Sequence, residues 1–372
     1  MKTLSSKQQP SASTLPPRGE VEGGFASTLP LGGDGGGSFL FGKTLSELQA
    51  ICLDLGLPKF TAKQICDWLY KKEISSIEEM SNLSKKAREL LAEKFEFGLI
   101  PPARGYVCTD GTKKYLFRLG GEKRIETVMI PDRERKTVCV SSQAGCKMNC
   151  SFCMTGRMGF KGQLSAGEIL NQIRSIEDYG EITNIVYMGM GEPFDNLDEV
   201  LKSTEILTAD WGMAMSPRRI TVSSIGMVDS LRRFLLESEC HLAISLHNPN
   251  HEERKAIMPI EQRHRLSEVL EVIREHDFGG QRRVSFEYIV FSGLNDSPRH
   301  ARELAHALEG IKCRINLIRF HDGADSTLPH TTESSIERFK EILEGRGIIT
   351  TIRASRGQEI SAACGMLSAS EK

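Results

Sequence analysis

The sequence predicts an α/β protein, a partial (βα)6 barrel with a small N-terminal helical domain and a β-rich connector. Three observations carry this. Short apolar runs alternate with amphipathic helical runs from Lys136 onward, and repeated βα units imply a parallel sheet. Six such units are too few for a closed eight-fold barrel, so the sheet should be curved and partly open. A tight group of cysteines directly follows the first of these strands, at the end where barrels carry their functional residues.

Residues 1–40 are rich in Ser, Gly, Pro and Thr, and the run GGDGGGS reads as a flexible linker, so a disordered arm is expected. Periodic structure begins near Thr44. The runs LSELQAICLDLG, TAKQICDWLYKK and KKARELLAEKF read as short amphipathic helices. They give a helical accessory domain over residues 44–98, with Trp68 and Tyr70 as its large aromatics. A β-rich connector over residues 104–134 follows, with turns at Asp110-Gly111 and Gly120-Gly121.

The barrel is expected over residues 135–350. Its strands are TVCVSS, ITNIVYM, RITVSS, HLAISL, RVSFEYIVF and RINLIRF, separated by helical runs. Ser165 and Glu168 form a capping box for the first helix. Residues 351–372 form a C-terminal segment.

The composition is that of an ordinary water-soluble chain. Of 372 residues, 39% are hydrophobic and 26% charged. No apolar run approaches the ~20 residues of a membrane span, and no secretion signal is evident. Ten cysteines spread along the chain suggest a reducing, cytoplasmic setting. A net charge of −1 does not announce a nucleic-acid binder, although basic pairs such as Arg218-Arg219 and Arg282-Arg283 occur.

Cys146, Cys150 and Cys153 form a C-x3-C-x2-C cluster. Three soft thiolates can hold one face of an iron–sulfur cube and leave one iron open. The competing reading is structural zinc, which needs a fourth ligand such as His247 or Cys240. The run MGMGEP follows the second strand. Gly191 would let backbone approach a ligand there, and Glu192 can receive a cationic amine. Ser223 ends the third strand, Ser245-Leu246-His247 ends the fourth, and Asn316 lies in the sixth. Each alone reads as a local cap or turn residue, but successive strand ends can feed one pocket. Cys139 precedes the cluster. Cys364, between Ala363 and Gly365, suggests flexible access to a site. Cys52, Cys66, Cys108, Cys240 and Cys313 read as small buried hydrophobes.

The segment AGCKMNCSFCMTG resembles the radical S-adenosylmethionine (radical SAM) signature, in which the open iron chelates the SAM amino and carboxylate groups. With GMGEP, RRITVS, AISLH, NLI and RGQEISAACG in order, the chain resembles the RlmN family of radical SAM RNA methyltransferases from about Leu45 to Leu367.

The resemblance implies a radical SAM barrel that methylates adenine C2 in the peptidyl-transferase centre of 23S rRNA, and in tRNA just 3′ of the anticodon. One 4Fe-4S cluster on Cys146, Cys150 and Cys153 and two SAM molecules per turnover are implied. Gly191, Glu192, Ser223, Ser245, Leu246, His247 and Asn316 would contact SAM. Cys364 would accept a methyl group and become S-methylcysteine. A 5′-deoxyadenosyl radical would take hydrogen from that methyl, and the methylene radical would add to C2. Glu126 would remove the C2 proton. Cys139 would attack the Cys364 sulfur, releasing the RNA and leaving a disulfide for a flavodoxin-type electron donor to reduce. The helical domain would grip the RNA around an unstacked adenine. Residues before Phe39 have no counterpart in the family, and the loop Arg319 to His330 lacks the Pro-rich turn often found there.

Three rival readings differ in chemistry. A Cfr-like enzyme would methylate adenine C8. A methylthiotransferase would need a further cysteine cluster, and Cys52, Cys66 and Cys108 do not have that spacing. A non-catalytic RNA-binding protein would hold structural zinc.

Overall fold

A computed structural model describes residues 38–279, 282–321 and 328–369. The expected disordered arm, residues 1–40, lies almost wholly outside the described residues, as does the middle of the loop from Arg319 to His330.

The chain opens with β1 (Ser38–Phe39), α1 (Leu45–Asp54), α2 (Thr61–Lys71), α3 (Lys85–Lys94) and β2 (Phe95–Glu96). β1 and β2 pair in parallel. Thr44 caps α1 by accepting from Glu47 N–H at 3.2 Å, while the Glu47 carboxylate accepts from Thr44 N–H at 2.7 Å. Ile65, Leu69 and Tyr70 fill the buried face of α2, and Trp68 is half-buried with its indole N–H bonded to Asn82.

β3 (Arg104–Val107), β4 (Lys113–Arg118) and β5 (Arg124–Asp132) form an antiparallel meander. β6 (Arg135–Cys139) pairs antiparallel with β5, so connector and barrel share one ten-stranded sheet. Next come β7 (Gln143–Gly145), α4 (Met154–Arg157) and β8 (Phe160–Gln163), a hairpin that carries the cysteine cluster in its loop. α5 (Ala166–Arg174) follows, and the capping box of Ser165 and Glu168 forms as expected.

The remaining elements alternate: β9 (Asn184–Tyr187), α6 (Leu197–Thr208), β10 (Ile220–Ser224), α7 (Val228–Glu237), β11 (His241–Ser245), α8 (His251–Ile257) and α9 (Leu266–Glu275). Then come β12 (Val284–Val290), α10 (Pro298–Ala307), β13 (Cys313–Arg319), α11 (Glu333–Glu344) and β14 (Ile349–Ile352). From β6 through β9 to β14 every neighbouring pair is parallel. The six apolar runs all become strands. A seventh parallel strand, β14, joins at the edge. Its four residues alternate in burial, so no continuous apolar run marks it.

Ile185, Val222, Leu242, Phe286 and Ile315 are fully buried in the strands of the sheet. Each such side chain stabilises the fold by roughly 1.5–3 kcal/mol. Among the described residues no helix is long and apolar enough to cross a membrane.

A charged residue is also held in this interior. Arg254 of α8 is wholly buried. Its guanidinium donates to the Leu246 carbonyl at 2.9 Å and to those of Ile225 and Ser245 at 3.0 Å, and it pairs with buried Glu261. It therefore staples together the loops that leave β10 and β11. Arg254→Ala would leave the buried Glu261 carboxylate without its counter-charge and take one donor from each of three carbonyls. The expected loss is roughly 3–5 kcal/mol, read as a lower denaturant midpoint than wild type.

Candidate active site

The C-terminal ends of the parallel strands open into a cavity of about 1100 Å³, its mouth included. The cavity brings together Cys139, Cys146, Cys150, Cys153 and Cys364, with Gly191, Glu192, Ser223, Ser245 and His247 also on its wall. Cys139 ends β6, and the three cluster cysteines sit in the β7–β8 loop. Cys153 N–H donates to the Cys150 carbonyl at 3.1 Å, a tight turn that aims thiols at one space.

Cys364 reaches the site on a strap. Met154 N–H donates to the Gly365 carbonyl at 2.8 Å, and the Thr155 hydroxyl donates to the Leu367 carbonyl at 2.8 Å. Upstream, Gly357 N–H donates to Asp110 at 2.9 Å, and the Thr109 hydroxyl donates to Glu359 at 2.9 Å. Cys364 is exposed and lines the cavity.

The MGMGEP glycines answer to packing. Gly191 has φ +96°, and a Cβ there would lie 2.4 Å from the Gln143 side chain. Glu192 N–H donates to Gln143 Oε1 at 2.8 Å. The Glu192 carboxylate accepts from Phe194 N–H at 3.0 Å and Ile225 N–H at 3.1 Å. Burial still pushes its carboxyl up to about 7, against these bonds and the Ser224 hydroxyl. A cationic amine in the cavity would restore the charged form.

His247 has φ +56° and lies edge-on to Phe152 of the cluster loop, with ring centroids 4.9 Å apart. Its Nδ1 accepts from Ile289 N–H at 3.0 Å, which leaves the proton on Nε2. Burial, and next the Arg254 charge, push its pKa down to about 3.

Three expected residues stand off the cavity wall. Leu246 is a core side chain whose carbonyl serves Arg254. Asn316 donates to Glu287 Oε1 at 2.7 Å and accepts from Thr351 at 2.6 Å. Glu126 is fully buried on β5, paired with Lys114 at 2.9 Å and accepting from Ser368 N–H at 2.9 Å.

Sequence reading missed Glu287 and Arg353. Glu287 lines the cavity, and its buried Oε2 has no hydrogen bond, with Arg353 Nε 3.6 Å away. A carboxylate in the otherwise apolar run RVSFEYIVF was the available signal. The Arg353 charge acts on both Cys139 and Cys364. Burial raises the Cys364 thiol and pushes Cys139 up to about 12, and Arg353 opposes both shifts.

The thiols fit an iron–sulfur cube better than zinc. Among the described residues no three His, Cys, Asp or Glu side chains converge on a single-ion site. Ligands to separate corners of a cube stand farther apart than ligands to one ion. Cys240 is buried at the opposite end of β11, and Nδ1 of His247 is already bonded, so neither completes a zinc site. All ten cysteines are free, so the implied disulfide between Cys139 and Cys364 is not supported here.

Fold and site together define a radical SAM enzyme, a class whose chemistry rests on a 4Fe-4S cluster and SAM. Residues 140–305 match the radical SAM superfamily model, and residues 39–97 match the ribosomal RNA large subunit methyltransferase N-terminal domain. A probable dual-specificity RNA methyltransferase RlmN of Phocaeicola vulgatus is 53% identical over 90% of this chain and 95% of that protein. The dual-specificity RNA methyltransferase RlmN of Desulfotalea psychrophila is 41% identical over 88% of this chain and 95% of its own length. A crystal structure of a radical SAM methyltransferase from Sphaerobacter thermophilus superposes with a TM-score of 0.83 at 39% identity. It covers 90% of this chain and 100% of that one. The chain belongs to the RlmN family of radical SAM RNA methyltransferases.

The cluster loop and His247 each give an expected outcome. Cys146→Ala, Cys150→Ala and Cys153→Ala should each lose bound iron and sulfide by direct assay; full iron retention in any of them would remove that ligand. Separately, the unfolded His247 imidazole takes a proton near pH 6.5, and the buried one only near 3. Stability should therefore fall as pH drops through 6.5. Cluster-free protein should lose about 2 kcal/mol from this group between pH 7 and 5, and His247→Asn should flatten that part of the denaturant-midpoint profile.

Proposed function

We propose that this enzyme methylates adenine C2 in 23S rRNA and in tRNA through an S-methylcysteine at Cys364. The observation that carries the reading is the meeting of two further thiols, Cys139 and Cys364, with the three cluster-motif cysteines around one cavity. A simple polar methyl transfer to RNA would need no such pair.

When bound, one cluster and two SAM molecules per turnover supply the methyl group and a hydrogen-abstracting carbon radical. Cys146, Cys150 and Cys153 hold the cluster. Glu192 takes the SAM amine, with Gly191, Ser223, Ser245 and His247 around the rest of the molecule. Leu246 and Asn316 act from behind the wall, through the Arg254 staple and through Glu287. Cys364 accepts the methyl group as thiolate, and Arg353 favours that charge. The modified Cys364 becomes covalently joined to C2 of an adenine unstacked into the cavity. Glu126 receives the C2 proton, which requires Ser368 to release its carboxylate. Cys139 then attacks the Cys364 sulfur as thiolate; the carbon–sulfur bond to RNA breaks, and the departing methylene carbon keeps the electron pair and takes a proton to become the methyl group. The resulting disulfide takes two electrons from a flavodoxin-type donor. Ribosomal RNA, tRNA and such a reductant meet in the cytoplasm.

The deciding experiment follows the protein and the RNA together. Cys364→Ala should give neither methylated protein nor methylated RNA. Cys139→Ala should accumulate RNA bound covalently at Cys364, seen on a denaturing gel and mapped by peptide mass spectrometry. Normal turnover by Cys139→Ala would rule out the two-cysteine route. The nucleoside product should be 2-methyladenosine, and 8-methyladenosine alone would place the enzyme on the Cfr-like side. Arg353→Gln should slow Cys364 methylation about tenfold for each pKa unit the thiol rises, with iron content unchanged.

A further inference from the structure

A second cavity, about 1540 Å³ with its mouth, lies at the opposite end of the barrel, where β10 to β14 begin. Arg218 precedes β10, His241 begins β11, Arg283 precedes β12, and Lys312 and Arg314 flank the first residue of β13; all five line the cavity. The parallel register sets these strand entries side by side, Thr221 against His241 and Val284 against Cys313.

Cations at this end have an ordinary use, since helix C-termini leave carbonyls unbonded there. That use accounts for two of the arginines. Arg274 donates to the Ala307 carbonyl at 2.6 Å, and Arg282 donates to the Leu235 carbonyl at 3.0 Å. It does not account for Arg218, Arg283, Lys312 and Arg314. Among the described residues none of these four has a carboxylate partner, whereas the surface residues Arg232, Arg233, Arg299 and Arg319 each have one. The carboxylate on the cavity wall, Asp277, accepts from Gly279 N–H at 2.9 Å. His241 registers the field of the basic cluster. Its pKa is lowered by burial first, then by Arg283, Arg282 and Arg218. Its Nδ1 accepts from Arg283 N–H at 3.1 Å, so the neutral ring keeps an Nε2–H donor. Overall basicity does not explain the cluster, because the whole chain carries −1.

Like charges gathered in one cavity repel, and an anion relieves them. Guanidinium forks match the tetrahedral oxygens of phosphate. We propose that this cavity is a phosphate-binding site, distinct from the catalytic cavity, that takes backbone phosphates of the RNA substrate. The RNA source rests on the proposed function; the phosphate chemistry rests only on the cavity. A large folded RNA engaged at the catalytic mouth can extend round the barrel, and a wide open cavity suits a chain better than a small enclosed ion.

The test uses full-length, cluster-loaded protein and two double variants, Arg283→Gln with Arg314→Gln and Arg218→Gln with Lys312→Gln. If one pair fails to fold, the other reads the same cavity. Binding of a substrate RNA fragment is measured by fluorescence anisotropy across a salt series, and binding of tripolyphosphate by calorimetry. SAM cleavage without RNA should be unchanged, which reports an intact catalytic cavity. RNA affinity at 0.15 M salt should fall about fivefold for each phosphate no longer held, and the log–log salt slope should shrink by about 0.7–0.9 per phosphate. If RNA binding is unaltered while tripolyphosphate binds wild type and not the variants, the RNA source is overturned and the site serves a free polyphosphate. If neither measurement changes, the proposal is overturned. Failure of the RNA methylation reading would show instead as missing methyladenosine, and leaves the tripolyphosphate result standing.

Discussion

The site depends on two hydrogen bonds that join distant parts of the chain: Met154 N–H to the Gly365 carbonyl, and the Thr155 hydroxyl to the Leu367 carbonyl 212 residues away. They dock the C-terminal strap on the loop that holds the cluster cysteines. They set the position of Cys364 beside Cys153 on the cluster-loop side of the strap. The connector meander holds the other side of the strap through Asp110, Thr109 and Glu126. Each bond contributes only about 1 kcal/mol net, so the strap is held by several weak ties and can shift without unfolding the barrel. Glu126 lies behind this strap, and its carboxylate is bonded to the strap's own backbone.

The cavity is also short of charge. Burial raises the Glu192 carboxyl to about 7, keeps His247 neutral and holds the thiols of Cys139 and Cys146 far above their ordinary range. Such a site is costly to leave dry and favourable to fill. A cluster displaces the thiol protons, and an amine recharges Glu192. Ligand binding and proton release are thus one process here.

Much of this was legible in the sequence because it rests on local pattern. The three N-terminal helices and six parallel strands follow from apolar periodicity and caps. The cysteine spacing marked the loop whose three thiols meet at the cavity. What escaped depends on packing. β14 is a short edge strand with half-exposed residues, and α8 is brief and highly charged. Leu246 and Asn316 sit on site-forming elements yet point behind the wall, since one residue's shift along a strand changes the face. Glu287 lies on β12 and Arg353 directly follows β14, and only the sheet brings the two within reach of each other.

The sheet order has a consequence for how the molecule is made. From β3 to β14 each strand of the large sheet lies next to the one before it in the chain, with only the β7–β8 hairpin set aside. A nascent chain emerging from its N-terminal side therefore always finds a finished edge on which the next strand can pair. Growth is vectorial, and no strand waits for a partner synthesised much later. The same order leaves one bare edge at every stage, an opening for wrong pairing between neighbouring nascent chains. The helix that follows each parallel strand from β9 to β13 closes over the sheet as soon as it appears, which limits how long that edge stands beside uncovered apolar surface.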